Sequence, residues 1–192
     1  MNSNVKSVLI VGVGGQGTLL ASRLLGNAVI SCKYDVKVSE VHGMSQRGGS
    51  VVTYVRYGEH VNSPIIETGE ADVIISFELL EAARYLSFLK KGGTVIVNTQ
   101  QIDPMPVVTG AAQYPGQILE KMQDAGIHTV AIDALKLAEE AGSSKAVNVV
   151  LMGVVARHME IATDVWIQTI REPAPAKFVE MNLTAFELGF QA

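Results

Sequence analysis

Two glycine-rich segments hold the residues of this chain best suited to chemistry. The first, Gly12-Val-Gly14-Gly15-Gln16-Gly17, follows the apolar run Val5–Val11 and precedes the helical pattern Thr18–Ile30. Glycines at these spacings let a chain turn sharply out of a strand. They bring backbone against a ligand with no Cβ between, and let the next helix pack closely. Free N–H groups at such a helix start attract an anion, a phosphate above all. Gln16 adds a side-chain amide. The second segment is His42-Gly43-Met44-Ser45-Gln46-Arg47-Gly48-Gly49. It combines a titratable imidazole, a hydroxyl, an amide and a guanidinium able to grip phosphate or carboxylate through two parallel hydrogen bonds. Gly48 and Gly49 permit backbone conformations that a Cβ forbids. At the carboxyl edge of a sheet this segment faces the first across the crevice where open α/β sheets hold ligands.

Each feature also has a plain structural use. His42 serves equally as a hydrogen-bonded structural residue, Arg47 as half of an ion pair, and Gly48-Gly49 as the entry to a strand. Gly12, Gly14 and Gly17 serve helix–strand packing with or without a bound phosphate. Taken alone, the first segment fits a dinucleotide fingerprint, with Glu40 standing, rather late, where an acidic ribose-binding residue belongs. That keeps open a stand-alone dinucleotide-binding oxidoreductase and a nucleotide-binding module without turnover.

The elements that must position these segments alternate. Val5–Val11, Asp35–Glu40, Ser50–Tyr57, Ala71–Phe77, Thr94–Asn98 and Ile127–Ile132 read as strands, the continuous apolar ones as strands buried on both faces. Thr18–Ile30, Glu78–Leu89, Gly116–Ala125 and Ala134–Ala141 read as helices. Lys90-Lys91-Gly92-Gly93 supplies the cations and glycine that suit the end of the second of them. Gln100–Pro106 reads as a turn region. Ala146–Met159, apolar almost all round, predicts a buried helix. Ala162–Glu172 and the Phe-rich Ala176–Phe190 complete a helical C-terminal portion. The expected fold is one domain over residues 1–192: a doubly wound, mostly parallel, Rossmann-like α/β sheet followed by helices.

Composition bounds the function. Of 192 residues 48% are apolar, enough for a substantial core, and no stretch approaches the ~18 apolar residues of a membrane span. The net charge is −4, with no Lys/Arg cluster, so nucleic acid is not an expected partner. With no signal-peptide pattern at Met1–Lys6, the expected location is cytoplasmic. A single cysteine, Cys32, excludes an internal disulfide and a cluster ligated by this chain's own cysteines. It reads as a buried structural thiol. His60, His128 and His158 lack metal-ligand spacing, and Asp124, Asp133, Glu139 and Glu140 form no paired-carboxylate site. Trp166 and the last helix read chiefly as core packing.

Together, the two segments resemble those of one family. Val-Gly14-Gly15-Gln16-Gly17 with Ala21-Ser22, and Ser39-Glu40-Val-His42-Gly43-Met44-Ser45-Gln46-Arg47-Gly48-Gly49-Ser50-Val51, are similar to the small, gamma-type subunits of the 2-oxoacid:ferredoxin oxidoreductases. The second segment most resembles the indolepyruvate branch. Asn62-Ser63-Pro64-Ile65, Ala71-Asp72, Asn148-x-x-Leu151-x-Gly153 and Asn182-x-x-Ala185-Phe186-x-x-Gly189 extend the likeness over nearly the whole chain. The resemblance implies thiamine-dependent oxidative decarboxylation of aryl-2-oxoacids to aryl-acetyl-CoA, with electrons passed to ferredoxin. Thiamine diphosphate, iron–sulfur clusters and CoA then belong to the complex and its large alpha subunit. This chain is expected to hold no cofactor tightly, no metal and no catalytic residue of its own. It would dock on that subunit, meet ferredoxin only through the complex and, in isolation, leave room for a homodimer. Gly12, Gly14, Gly15, Gln16, Gly17, His42, Ser45, Gln46, Arg47, Gly48 and Gly49 are the residues expected to line the active site or bind cofactor.

Overall fold

A computed structural model of the chain describes residues 5–42 and 48–192; for His42 the description covers the backbone. Strand β1 (Lys6–Val13) runs into the glycine turn and helix α1 (Thr18–Ser31). Strands β2 (Asp35–His42) and β3 (Ser50–Gly58) follow, then β4 (Ala71–Ser76) and the short helix α2 (Leu79–Arg84). Next come β5 (Leu89–Asn98), the single-turn helix α3 (Met105–Val108), α4 (Ile118–Asp124) and β6 (His128–Ile132). The chain ends in α5 (Ala134–Glu140), α6 (Val147–Arg157), α7 (Thr163–Arg171) and α8 (Ala176–Gln191).

The strands form one six-stranded sheet in the order β2-β3-β1-β4-β5-β6. β1, β4, β5 and β6 are mutually parallel, and β3 lies antiparallel between β1 and β2. The expected mostly parallel α/β architecture is therefore present, with one antiparallel strand inserted beside β1. The alternation in Ser50–Tyr57 is the mark of that strand. Side-chain alternation along β1 builds two cores. Val8 and Ile10 face α1, α5, α6, α7 and α8, while Leu9 and Val11 face α2 and α4.

The helical C-terminal portion is held by two glycines. A Cβ on Gly153 of α6 would lie 2.1 Å from the Phe186 carbonyl oxygen, and one on Gly189 of α8 would lie 2.0 Å from that of Val150. The two helices thus meet backbone to backbone, which explains the glycine in each of the two C-terminal motifs. Trp166 is fully buried and stacks on Phe186 at 6.3 Å, as core packing requires.

Two local expectations are corrected. The helix expected over Glu78–Leu89 ends at Arg84, a 3₁₀ turn spans Leu86–Phe88, and Lys90–Gly93 belong to β5. The glycine pair serves an irregularity in the β4–β5 ladder. Gly92 has φ +80°, and a Cβ on Gly93 would lie 2.9 Å from the Asp72 carbonyl oxygen. Cys32 is half-buried, because it caps the end of α1 where that helix emerges from the core.

Candidate functional site

The carboxyl ends of β1, β4 and β5 bring the glycine turn, Phe77–Glu78 and Thr99–Gln100 together. α1 leads from β1 towards β2, whereas β4 lies on the other side of β1, so the connections diverge at this point of the sheet. Open α/β sheets place their crevice at such a divergence.

Gly12 is buried, and a Cβ there would lie 2.9 Å from Phe77 Cβ, so its role is close packing. Gly15 and Gly17 have φ +105° and +89°, a region in which side chains with a Cβ are strained. Gly17 caps α1 with no side-chain hydrogen bond, and the Asn148 amide packs on it, 3.1 Å from where its Cβ would lie. Gly15 is exposed with open space around it, and Gly14 is half-buried.

Gln16 is bound within the chain at both ends of its amide. The Val13 N–H donates to Oε1 at 2.8 Å, and Nε2 donates to the Phe77 carbonyl at 2.9 Å and to Gln100 Oε1 at 3.3 Å. The side chain ties the ends of β1, β4 and β5 together. Fully buried Asn98 repeats the pattern. Its Nδ2 donates to the same Phe77 carbonyl at 3.1 Å, and its Oδ1 accepts from the Ala134 N–H at 3.1 Å.

The two glycine segments do more than face each other. The Gly14 N–H donates to the Gly49 carbonyl at 2.8 Å, and the Gly48 N–H donates to the Gly14 carbonyl at 3.3 Å. The β1–β3 ladder, paired as far as Val13 with Ser50, continues through these glycines. β2 reaches the same edge at His42, opposite Val51. Ser45, Gln46 and Arg47, and the His42 side chain, lie outside the described residues. The described residues on either side of them, His42 at the end of β2 and Gly48 bonded to Gly14, stand at the carboxyl edge.

The insertion of β3 separates the pieces of a dinucleotide site. Glu40 pairs with Thr53 of β3 and lies on β2, two strand spacings of ~4.8 Å from β1. An acidic residue that reads a ribose belongs on the strand directly beside the glycine turn.

A buried acidic pair stands beside this edge. Glu78 is 1% exposed and Glu81 is 4% exposed. Glu78 caps α2 by accepting from the Glu81 N–H at 2.9 Å, and it also accepts from the Ile102 N–H at 3.1 Å and the Tyr114 hydroxyl at 2.5 Å. It closes the excursion 102–114 at both ends. Glu81 accepts from the Ser50 hydroxyl at 2.5 Å, with Arg84 Nε 3.5 Å away. Burial raises the Glu81 pKa, and nearby Glu78 adds to the rise, against lowering by Ser50 and Arg84. Burial, with its bond to Glu78, pushes the Tyr114 phenol upward as well. Sequence reading passed over this pair, as it did Asn98 and Gln100. The available signal was Glu78-x-x-Glu81 directly after an apolar strand, a spacing that resembles a capping box.

Among the described residues no group of three His, Cys, Asp or Glu side chains could hold a metal ion, and the chain has one cysteine. These residues therefore do not fit an iron–sulfur cluster. No helix among them is long and apolar enough to cross a membrane.

An open α/β sheet whose glycine turn is paired with a second glycine segment defines the class: residues 7–192 match the family described as pyruvate ferredoxin/flavodoxin oxidoreductase, and the chain belongs to it. Among curated relatives, the indolepyruvate oxidoreductase subunit IorB of Thermococcus kodakarensis is 46% identical over 97% of this chain and 95% of its own. The gamma subunit of a keto/oxoacid ferredoxin oxidoreductase from Geobacter sulfurreducens has a similar fold, with a TM-score of 0.72 at 22% identity over 97% of this chain and 96% of its own. A 2-oxoglutarate:ferredoxin oxidoreductase from Magnetococcus marinus matches with a TM-score of 0.75 at 17% identity, over 97% of this chain but 30% of that one.

Proposed function

We propose that this chain is the small subunit of a cytoplasmic indolepyruvate-type 2-oxoacid:ferredoxin oxidoreductase, acting as one domain over residues 1–192. The complex would decarboxylate an aryl-2-oxoacid to an aryl-acetyl-CoA and CO₂ and pass two electrons to ferredoxin. The observation that carries this reading is the 46% identity to an indolepyruvate oxidoreductase subunit along almost the full length of both chains. The substrate assignment follows that relative rather than the more distant pyruvate and 2-oxoglutarate proteins.

Thiamine diphosphate, iron–sulfur clusters and CoA would be held by a larger partner chain. The Magnetococcus chain, in which a fold like this one makes up 30% of the length, supports a partner of that size. The contribution of this chain would be a shaped surface. Gly14 is joined backbone to backbone with Gly48 and Gly49, and we assign docking and lining of the active-site mouth to Gly12–Gly17 and the segment from His42 to Gly49. In that setting the Arg47 guanidinium would meet a carboxylate or phosphate of the substrate or CoA. Gln16 would hold the edge in shape.

Co-expression with a large chain bearing thiamine and cluster motifs tests this. The expected result is a stable complex that reduces ferredoxin with indolepyruvate and CoA, and more slowly with pyruvate or 2-oxoglutarate. A chain that never copurifies with such a partner overturns the reading. A complex that prefers pyruvate overturns the substrate assignment alone.

A further inference from the structure

The opposite edge of the sheet carries a second feature. About 25 Å from the glycine turn, the length of eight strand residues at ~3.3 Å each, lies a cavity of about 460 Å³. It opens between the amino ends of β1, β4 and β5 and the carboxyl end of α6. Small-molecule sites typically measure ~300–1,000 Å³.

Its lining has three parts. The floor is apolar and dry, with Val8, Ile96 and Val155 no more than 2% exposed. One wall is aromatic: the Tyr34 and Tyr57 rings meet edge to face, with centroids 5.7 Å apart. Burial pushes the Tyr57 phenol up to about 12, with Asp72 adding to the rise, so it stays protonated and able to donate. The rim carries two opposite charges, Lys6 and Glu160, both exposed.

Among the described residues those two charges stand unused: neither forms an ion pair, and they line one cavity without reaching each other. The other titratable groups are committed or neutral. Asp72 accepts from the Ser7 N–H at 2.9 Å and from Lys90 at 3.1 Å. Burial lowers the His158 pKa, with Arg157 and His128 adding to the effect, which keeps it uncharged at neutral pH. The carboxyl end of α6 adds a partial negative charge on the Glu160 side.

We propose that this cavity binds an aromatic α-amino acid as its zwitterion. The ring lies on the tyrosine wall over the apolar floor, the carboxylate meets Lys6, and the ammonium meets Glu160 and the end of α6. The alternatives use the lining less well. An aromatic acid without an amine sets its carboxylate near Glu160 with nothing to answer that charge. An aromatic amine leaves Lys6 unanswered and adds a second cation. A small polar amino acid leaves the tyrosines, Tyr34 being 42% exposed, in contact with water. The inference is independent of the reaction assigned to the carboxyl edge, because no residue of that edge lines this cavity.

Calorimetric titration of the full chain, alone and in its copurified complex, tests the proposal. The probes are L-phenylalanine and L-tryptophan, with phenethylamine, 3-phenylpropionate and L-alanine as truncated counterparts. The expected result is saturable binding of the two amino acids, with every truncated probe weaker by tenfold or more. Lys6→Ala and Glu160→Gln should each weaken amino-acid binding at least tenfold, and Glu160→Gln should not weaken 3-phenylpropionate. Both side chains are exposed, so the variants should fold, and the probe series on the unaltered chain decides the matter without them. No binding of either amino acid overturns the proposal. So does an acid or amine probe that binds as tightly, or amino-acid affinity unchanged by both substitutions.

Discussion

The Ser50 hydroxyl donates to the carboxylate of Glu81 at 2.5 Å, and this bond ties the root of the second glycine segment to the helix behind β4. Ser50 opens β3 opposite Val13, one residue after the Gly49 that bonds to Gly14. A hydrogen bond to a buried charged group contributes roughly 1.5–3 kcal/mol. Ser50→Ala and Glu81→Ala should each lower unfolding free energy by about that much. Because they break the same bond, the double variant should lose clearly less than the sum. Chemical denaturation of the four proteins measures this, and simple additivity would show that the bond contributes nothing.

Glu81 also gives the fold a pH dependence whose sign follows from its burial. The ordinary carboxyl pKa is 4.5, and burial raises it in the folded chain. Below 4.5 the group is protonated in both states and its contribution to stability is fully present. As pH rises through the raised folded value, the unfolded chain releases the proton more readily, and that contribution is lost. Glu81→Gln keeps an acceptor for Ser50 and cannot titrate. Its stability relative to the unaltered chain should therefore rise with pH from about 4.5 and level off above the folded value. A difference that stays flat between pH 4 and 8 would contradict this account.

Much of this edge was legible because its physics is local. Gly12–Gly17 after an apolar run has few uses other than a strand–turn–helix, and Gly15 and Gly17 do adopt positive φ. The apolar helices and the Gly153 and Gly189 motifs were readable for the same reason. What escaped depends on partners far away in sequence. Lys90–Gly93 looked like the end of a helix because cations and glycine suit one, and only the pairing of β5 with β4, Ala71 with Leu89 and Val73 with Thr94 on either side of the irregularity, makes the segment part of a strand. Glu78 and Glu81 fell in the expected helix over Glu78–Leu89 with no sign of their burial. They are buried because Tyr114 and Ser50, 36 and 31 residues away, close over them. The place of β3 beside β1, which removes Glu40 from a ribose position, likewise has no local signal.

The α6–α8 crossing predicts a severe local effect. A Cβ at position 153 would overlap the backbone of residues 186–190, the shortest separation being 2.1 Å, and backbone in a packed helix pair cannot rotate aside. Gly153→Ala must push the helices apart and open the core around Leu151, Trp166 and Phe186. Overpacking of this kind costs ~1–3 kcal/mol, and more where backbone itself must move. The expected fall in unfolding free energy is about 3 kcal/mol or more. Gly26→Ala serves as the control, since nothing lies within 4 Å of the Cβ it would add. That substitution should be neutral or slightly stabilising, because alanine favours a helix interior by ~1 kcal/mol.

Gln16 separates a structural role at the crevice from a ligand-binding one. Its amide oxygen and nitrogen both bond within the chain, to Val13, Phe77 and Gln100. Gln16→Ala removes the acceptor of the Val13 N–H on a buried residue, at ~1–3 kcal/mol for a group left unsatisfied, while the Phe77 carbonyl keeps its bond from Asn98. Gln16→Glu is expected to be worse although it is closer in shape, because a carboxylate oxygen would face the Phe77 carbonyl where an N–H now donates. The order of melting temperatures should be unaltered chain, then alanine, then glutamate. Any loss of ferredoxin reduction in the complex should follow that order and shrink as the temperature is lowered. If Gln16 acted mainly by touching substrate or CoA, Gln16→Ala would lose activity with its melting temperature unchanged, and the two variants would not rank by stability.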